Sequence, residues 1–271
     1  DTGRVLCIDR DPAAVERLES NLPRNCVARV GSYEGTRSFL TEFGWKAADG
    51  ILIDLGLSSD QLADNDRGFS FQASGPLDMR FDPTQGQPAW EWLQRADERT
   101  IADTIFQFGE ERFSRRIAKN IVESRRDQPV KTAGQLRDLI YRSLPKSRRR
   151  ANKSSRSAKR RTIDPATRTF QALRIVVNDE LGILQRSLQC LIDCLVPGGA
   201  LLVISFHSLE DRLVKHAFRD DDRLEVVTKK PIQAAQAEVA ANPRARSAKL
   251  RMARRKHAIK PGESSVQRNS T

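Results

Sequence analysis

Residues 48–86 read ADGILIDLGLSSDQLADNDRGFSFQASGPLDMRFDPTQG, and this stretch decides the fold. Gly50-Ile-Leu-Ile-Asp54 is a short apolar run ending on a carboxylate. A buried parallel strand delivers a functional side chain to the carboxyl edge of an α/β sheet in this way, so Asp54 is the first candidate for a site. The residues that follow have neither helical nor strand periodicity. Turn formers such as Gly56, Ser58, Asp64, Asn65, Gly68 and Gly75 alternate with Leu57, Leu62, Phe69, Phe71, Leu77 and Met79. A long loop inside a compact domain is usually functional or disordered. The interleaved apolar residues argue for a folded one, with Phe69 and Phe71 as loop core rather than base-stacking platforms.

Upstream, Arg4-Val-Leu-Cys-Ile-Asp9 is a second strand tipped with an acid. Asp11-Pro12 then opens a helix, with Asp11 as its cap and Pro12 in its first turn. In a Rossmann-like unit an acid at this strand end accepts hydrogen bonds from the ribose hydroxyls of a nucleoside cofactor. Cys26 to Val30 forms a third strand, and the turn Gly31-Ser32-Tyr33 after it brings a ring suited to stacking on adenine. The glycine-rich turn of such a unit lies ahead of the acid-tipped strand. Only eight residues precede Asp9, and Gly3 alone cannot make that turn, so the chain is expected to be truncated at its amino end. The absent first strand would be central, and its loss would leave apolar sheet edges uncovered.

Downstream, Trp90 to Arg126 reads as helical from the recurrence of Trp92, Leu93, Ile101, Ile105, Ile117 and Ile121. Thr132 and Gln135 form a capping box for a helix over Ala133 to Leu144. The expected organisation is a discontinuous α/β domain over 1–89 and 162–258, an inserted all-helical subdomain over 90–161, and a disordered tail over 259–271. One long amphipathic helix is expected from Thr169 to Cys194, stopped by Pro197-Gly198-Gly199. The strand Ala200 to Ser205 then places Phe206, His207 and Ser208 at the same sheet edge as Asp54. A helix over Glu210 to Phe218 and strands over Leu224 to Thr228 and Ala248 to Ala253 complete the pattern.

Lys and Arg outnumber Asp and Glu by 47 to 35, a formal charge of +12, which attracts a polyanion. The excess is clustered: nine cations and no acid lie between Lys146 and Arg161, and seven cations between Arg244 and Lys256. Both clusters read as nucleic-acid contacts. Cys7, Cys26, Cys190 and Cys194 form no CxxC pair and, with three histidines, no zinc constellation. They are expected to be reduced core or helix residues in a cytoplasmic protein without a metal site. No apolar run approaches the ~18 residues of a membrane span, and no signal peptide is expected.

The ordered motifs Asp9-Arg-Asp-Pro12, Asp54-Leu-Gly-Leu-Ser-Ser59, Arg67-Gly-Phe-Ser-Phe71, Gly75-Pro-Leu-Asp-Met-Arg80, Gly109-Glu-Glu-Arg112, Ala166-Thr-Arg-Thr-Phe-Gln171, Ile204-Ser-Phe-His-Ser-Leu-Glu-Asp211 and Asn242-Pro-Arg-Ala-Arg246 together resemble the RsmH (MraW) family. The resemblance runs from about Arg4 to Ala253. It implies a Rossmann-like methyltransferase fold and transfer of a methyl group from S-adenosylmethionine to the exocyclic N4 of a cytosine in the decoding region of small-subunit (16S) ribosomal RNA. The partner it implies is that RNA or the assembled small ribosomal subunit. It further implies that Asp9 contacts the cofactor ribose, Tyr33 packs near the adenine, and Asp54 and Gln61 complete the cofactor site. Tyr33 stands where the family usually has Phe.

A cytosine amine is a poor nucleophile, because its lone pair is delocalised into the ring. An enzyme must hold it in line with the sulfonium methyl and stabilise the developing positive charge. Acceptors at the sheet edge suit that need, which makes Asp54, Ser58 and His207 the catalytic candidates. The loop Gly68 to Arg80 is the candidate wall or lid for an unstacked base. A nicotinamide-dependent oxidoreductase would share the ribose-binding acid, and a non-catalytic RNA-binding or ribosome-assembly module would share the basic clusters. Both stand as alternatives.

Overall fold

A computed structural model describes residues 3–145 and 164–257. The basic run ending at Arg161 and the tail over 259–271 lie outside the described residues. In chain order the elements are β1 (Val5–Asp9), α1 (Pro12–Glu19), β2 (Cys26–Val30), α2 (Thr36–Glu42), β3 (Ala48–Asp54), α3 (Ser59–Ala63), α4 (Ala89–Arg95), α5 (Glu98–Gly109), α6 (Ser114–Asp127) and α7 (Ala133–Ser143). They continue as α8 (Pro165–Asn178), α9 (Glu180–Asp193), β4 (Leu195–Ser205), α10 (Ser208–Asp220), β5 (Leu224–Val226), β6 (Ile232–Gln233), α11 (Gln236–Ala241) and β7 (Lys249–Arg255). Two compact units take up the chain: Asp1–Ser32 with Leu57–Glu180, and Tyr33–Gly56 with Leu181–Thr271.

The first unit starts with a parallel βαβ element in which β1 pairs with β2 from Val5↔Cys26 to Asp9↔Val30. Oδ1 of Asp11 accepts the N–H of Ala13 at 3.1 Å and caps α1, a contribution of about 1 kcal/mol. Pro12 occupies the first helical position, where a backbone N–H would have no helical partner anyway. The rest of the unit is helical and is built on one apolar cluster. Ile101, Ile105, Ile117, Ile121, Leu136 and Leu173 are fully buried in it. The loop 64–88 is folded, as its alternating apolar residues require, and adds Phe69, Ala73, Leu77, Met79 and Phe81 to that core. Phe69 stacks on Phe81 and Phe71 meets the edge of Phe170.

The helices are shorter than periodicity alone suggests. The helical stretch Trp90 to Arg126 is divided among three helices: Asp97 accepts the N–H of Thr100 at 2.7 Å to start α5, and Glu110 turns left-handed at φ 51° to end it. Gly109 is required at that end, since a Cβ there would lie 2.5 Å from the carbonyl oxygen of Arg168. Likewise the expected helix Thr169 to Cys194 is two. Asp164 caps α8 from further upstream, and Asp179 at φ 48° separates α8 from α9, a conformation that Asp tolerates better than most side chains.

In the second unit β3 runs parallel to β4, with Ile51↔Leu201 and Asp54↔Ile204 in register, and β7 lies antiparallel to β4 and also pairs with β5 and β6. Leu184, Leu188 and Leu191 of α9 and Val214 and Phe218 of α10 cover Leu201, Val203 and Ala253 of the sheet. Pro197-Gly198-Gly199 lies inside β4 and does not separate helix from strand. The register shifts between Ala48 and Gly50 opposite it, and Gly198 sits at φ 84°, so a bulge absorbs the residues that would otherwise stop the strand.

Both units follow the α/β, Rossmann-like pattern of parallel strands with helical crossovers. Among the described residues β1 pairs only with β2, and β3 only with β4. Leu52 on β3 is 63% exposed and Val5 on β1 is 48% exposed. No described helix is long and apolar enough to cross a membrane.

Candidate active site

In the first unit the strand-end acids form one hydrogen-bonded chain. Oδ1 of Asp9 accepts the backbone N–H of Asp11 at 2.8 Å. Burial of part of its surroundings raises the Asp9 pKa, and the hydrogen bond from Asp11 opposes that rise. Asp11 itself is buried, and its Oδ2 accepts Nε2 of Gln61 at 2.8 Å and Nη1 of Arg67 at 3.0 Å. Gln61 is also the third residue of α3, where its Oε1 accepts the N–H of Ser58 while its own N–H donates to the Ser58 hydroxyl. This reciprocal capping box is why Ser58 and Gln61 recur three residues apart before an apolar position. Asp9, Ser58 and Gln61 are thus brought into one network, with the amide of Gln61 engaged at both ends by protein groups.

In the second unit Asp54 ends β3 and His207 follows the end of β4, on adjacent paired strands. The Asp54 side chain reaches solvent. Burial of its base, and then the nearby carboxylate of Glu210, raise its pKa. His207 caps α10, where its Nδ1 accepts the N–H of Glu210 at 3.4 Å. Glu210 is buried, and its Oε2 accepts the N–H of Phe206 at 2.8 Å and of His207 at 3.2 Å. Its Oε1 lies 3.1 Å from Nε2 of His207 without the alignment of a hydrogen bond. Helix α10 is fastened to β7 by Asp211. Burial alone would raise the pKa of Asp211, but the hydrogen bond and charge of Arg251 and the charge of Lys249 hold it low. Tyr33 opens a short helical turn and packs against the apolar core of this unit.

Three polar residues of these networks escaped the reading of the sequence as site residues: Glu210, Asp11 and Arg67. The spacing His207-x-x-Glu210 before a helix is the one local signal for Glu210, because it has the form of a capping box with His in place of Ser or Thr. Several cations of the basic cluster between Arg244 and Lys256 also make contacts within the protein. Lys249 and Arg251 bind Asp211, while Arg254, Arg255 and Lys256 donate to the carbonyls of Gly198, Leu195 and Asp222. Arg246 is exposed.

A family model described as the MraW methylase family matches residues 1–256. The chain belongs to this family. A ribosomal RNA small subunit methyltransferase H from Rhodopirellula baltica is 52% identical over 94% of this chain and 77% of its own length. Proteins of the same name from Synechococcus elongatus and Thermomicrobium roseum are 45% and 43% identical, over 93% and 94% of this chain and 80% and 81% of their own lengths. The chain is therefore a methylase of the MraW family with an α/β fold. Asp9 and Asp54 occupy the strand ends at which such sheets bind ligands.

Proposed function

We propose that this MraW-family chain transfers a methyl group from S-adenosylmethionine to the exocyclic N4 of a cytosine in the decoding region of small-subunit ribosomal RNA. Family membership over 256 residues carries the reading, together with the names of the relatives. The residues fit the cofactor by their chemistry. Asp9 keeps Oδ2 to accept from a ribose hydroxyl while Oδ1 is held by Asp11, Tyr33 offers a partly exposed ring for the adenine, and Asp54 and Gln61 complete the set. When bound, S-adenosylmethionine supplies an electrophilic methyl on a positively charged sulfur.

The chain's own residues have the remaining tasks. Asp54, with its raised pKa, accepts a hydrogen bond from the target amine and can take up its proton. Ser58 and His207 are the further polar groups assigned to the amine, both held by the helix caps they make. The loop from Gly68 to Arg80 forms the wall for the unstacked base.

The inserted helices are assigned to RNA. Arg115, Arg116 and Lys119 are all exposed and at this spacing share one face of α6, and the exposed Arg112 stands just before the helix. Cations in a first turn oppose the helix dipole by about 0.3–1 kcal/mol each, and α6 has no acid there. Such a stripe is disfavoured for stability and suited to phosphates. The substrate is ribosomal RNA, alone or in the assembled subunit, which places the reaction in the cytoplasm.

The test combines this chain, labelled S-adenosylmethionine and small ribosomal subunits lacking the modification, followed by identification of the labelled nucleotide by mass. Label on a cytosine amino group is expected. A folded protein that binds the RNA without transferring label would instead support a non-catalytic assembly module.

A further inference from the structure

We infer that Arg67 is a positioning residue that ties the ribose-side carboxylates of the first unit to the backbone of the base-receiving loop at 78–81. One guanidinium spans both: Nη1 donates to Oδ2 of Asp11 at 3.0 Å, and Nη2 donates to the carbonyls of Arg80 and Phe81, each at 2.9 Å. Asp11 is 1% exposed, so this contact lies out of water, where a charge-assisted hydrogen bond is worth more than at a surface. The other end of Asp11, its backbone N–H, terminates on Asp9. A continuous run of hydrogen bonds therefore leads from Asp9 through Asp11 and Arg67 to the loop.

The loop end of this run is strained and tightly hydrogen-bonded. Met79 is fully buried at φ 65°, a conformation that costs a side chain of this kind roughly 1–3 kcal/mol. The surroundings hold it there. The N–H of Met79 donates to the carbonyl of Arg67 at 2.9 Å, and the side-chain amide of Asn178 donates to the carbonyl of Met79 at 2.7 Å and accepts the N–H of Phe81 at 2.8 Å. Arginine is needed for the bridge because its planar fork addresses an acid on one side and two carbonyls on the other. An ammonium is a point donor and cannot span both.

The inference rests on the assignment of Asp9 to the cofactor ribose and of the loop to the base. Arg67→Lys, which keeps the charge, is the informative variant. Three quantities are read on the full chain: S-adenosylmethionine affinity by calorimetry, hydrogen exchange of the amides at 79–81 with and without that cofactor, and kcat and KM for methylation of small subunits. In R67K the amides at 79–81 are expected to exchange at least about tenfold faster, and to gain none of the protection that the cofactor confers in the parent chain. Cofactor affinity stays within about threefold, because Arg67 is not a ligand, while kcat falls about tenfold or more with KM for the cofactor little changed. Unchanged exchange at 79–81 with unchanged kcat would overturn the inference. So would faster exchange throughout the unit, which marks Arg67 as a general stabiliser. Asp11→Asn, which removes charge and keeps shape, serves the same readouts if R67K does not fold. A parent chain that binds no S-adenosylmethionine, with fast exchange at 79–81 still confined to R67K, would count against the assignment of Asp9 and not against the bridge.

Discussion

Oε2 of Glu210 accepts the backbone N–H of Phe206 at 2.8 Å, so the third residue of α10 locks the end of β4. The same carboxylate raises the pKa of Asp54 on the neighbouring strand. Glu210 is therefore both a structural clasp and an electrostatic neighbour of the proposed proton acceptor, and substitutions can separate the two roles. Glu210→Gln keeps an acceptor for the strand end and removes the charge. The folded protein is expected to persist, and the Asp54 carboxyl should titrate at lower pH by NMR. Glu210→Ala leaves two partly buried N–H groups without that acceptor and should cost up to roughly 1–3 kcal/mol for each, measured by denaturant unfolding.

Asp54→Asn should separate stability from activity. A carboxyl whose pKa is raised in the folded state contributes stability below its unfolded value of about 3.9, and that contribution is lost as pH rises through the folded value. At neutral pH the ionised Asp54 therefore costs stability. The D54N variant should melt at or above the parent temperature at pH 7, with the difference closing as pH approaches 4, while methyl transfer falls by about 100-fold or more if Asp54 accepts the amine proton. A lower melting temperature at pH 7 would show that the folded protein favours the ionised Asp54 carboxylate, contrary to the raised pKa.

Reversing the α6 stripe should move helix stability and RNA binding in opposite directions. Arg115→Glu with Arg116→Glu places acids in the first turn of α6, which favours the helix by about 0.3–1 kcal/mol each. Each lost phosphate contact should reduce the slope of log K against log salt by about 0.7–0.9. Fluorescence titration of ribosomal RNA across a salt series, with thermal unfolding of the same protein, reads both. Unaltered binding would remove α6 from the RNA surface.

Gly68→Ala should destabilise the first unit. Gly68 sits at φ 68°, and a Cβ there would lie 2.3 Å from the carbonyl oxygen of Pro76, which is backbone and cannot swing aside. A loss of more than about 1 kcal/mol is expected from the positive φ alone, with the clash adding to it, and a denaturant midpoint measures it.

Much of the fold could be read from local pattern. The strands at Val5–Asp9, Cys26–Val30 and Ala48–Asp54 and the helices capped by Asp11 and Thr132 follow from short-range rules. Each rule involves groups only a few residues apart, so the sequence displays both partners together. The acids Asp9 and Asp54 were visible for the same reason, standing at the ends of apolar runs. The breaks at Glu110 and Asp179 were not. Apolar periodicity continues across them, and what turns the chain is a close backbone approach at Gly109 and the side chain of Asn178, bound to a loop 97 residues away.

Composition and spacing alone were enough to establish an α/β chain with acid-tipped strands, a folded loop after Asp54 and a cationic excess, and the resemblance of its ordered motifs pointed to a methylase family. Which cations are spent inside the protein was settled by three-dimensional packing. Arg251 is buried against Asp211, 40 residues away, whereas Arg115 and Arg116 stay in solvent. Packing likewise turned Asp11 from a helix cap into the meeting point of Gln61 and Arg67, 50 and 56 residues along the chain. Charge and apolarity are properties of single residues and survive in a linear string. The desolvation and pairing that decide whether an arginine is a brace or a ligand depend on neighbours that only folding supplies.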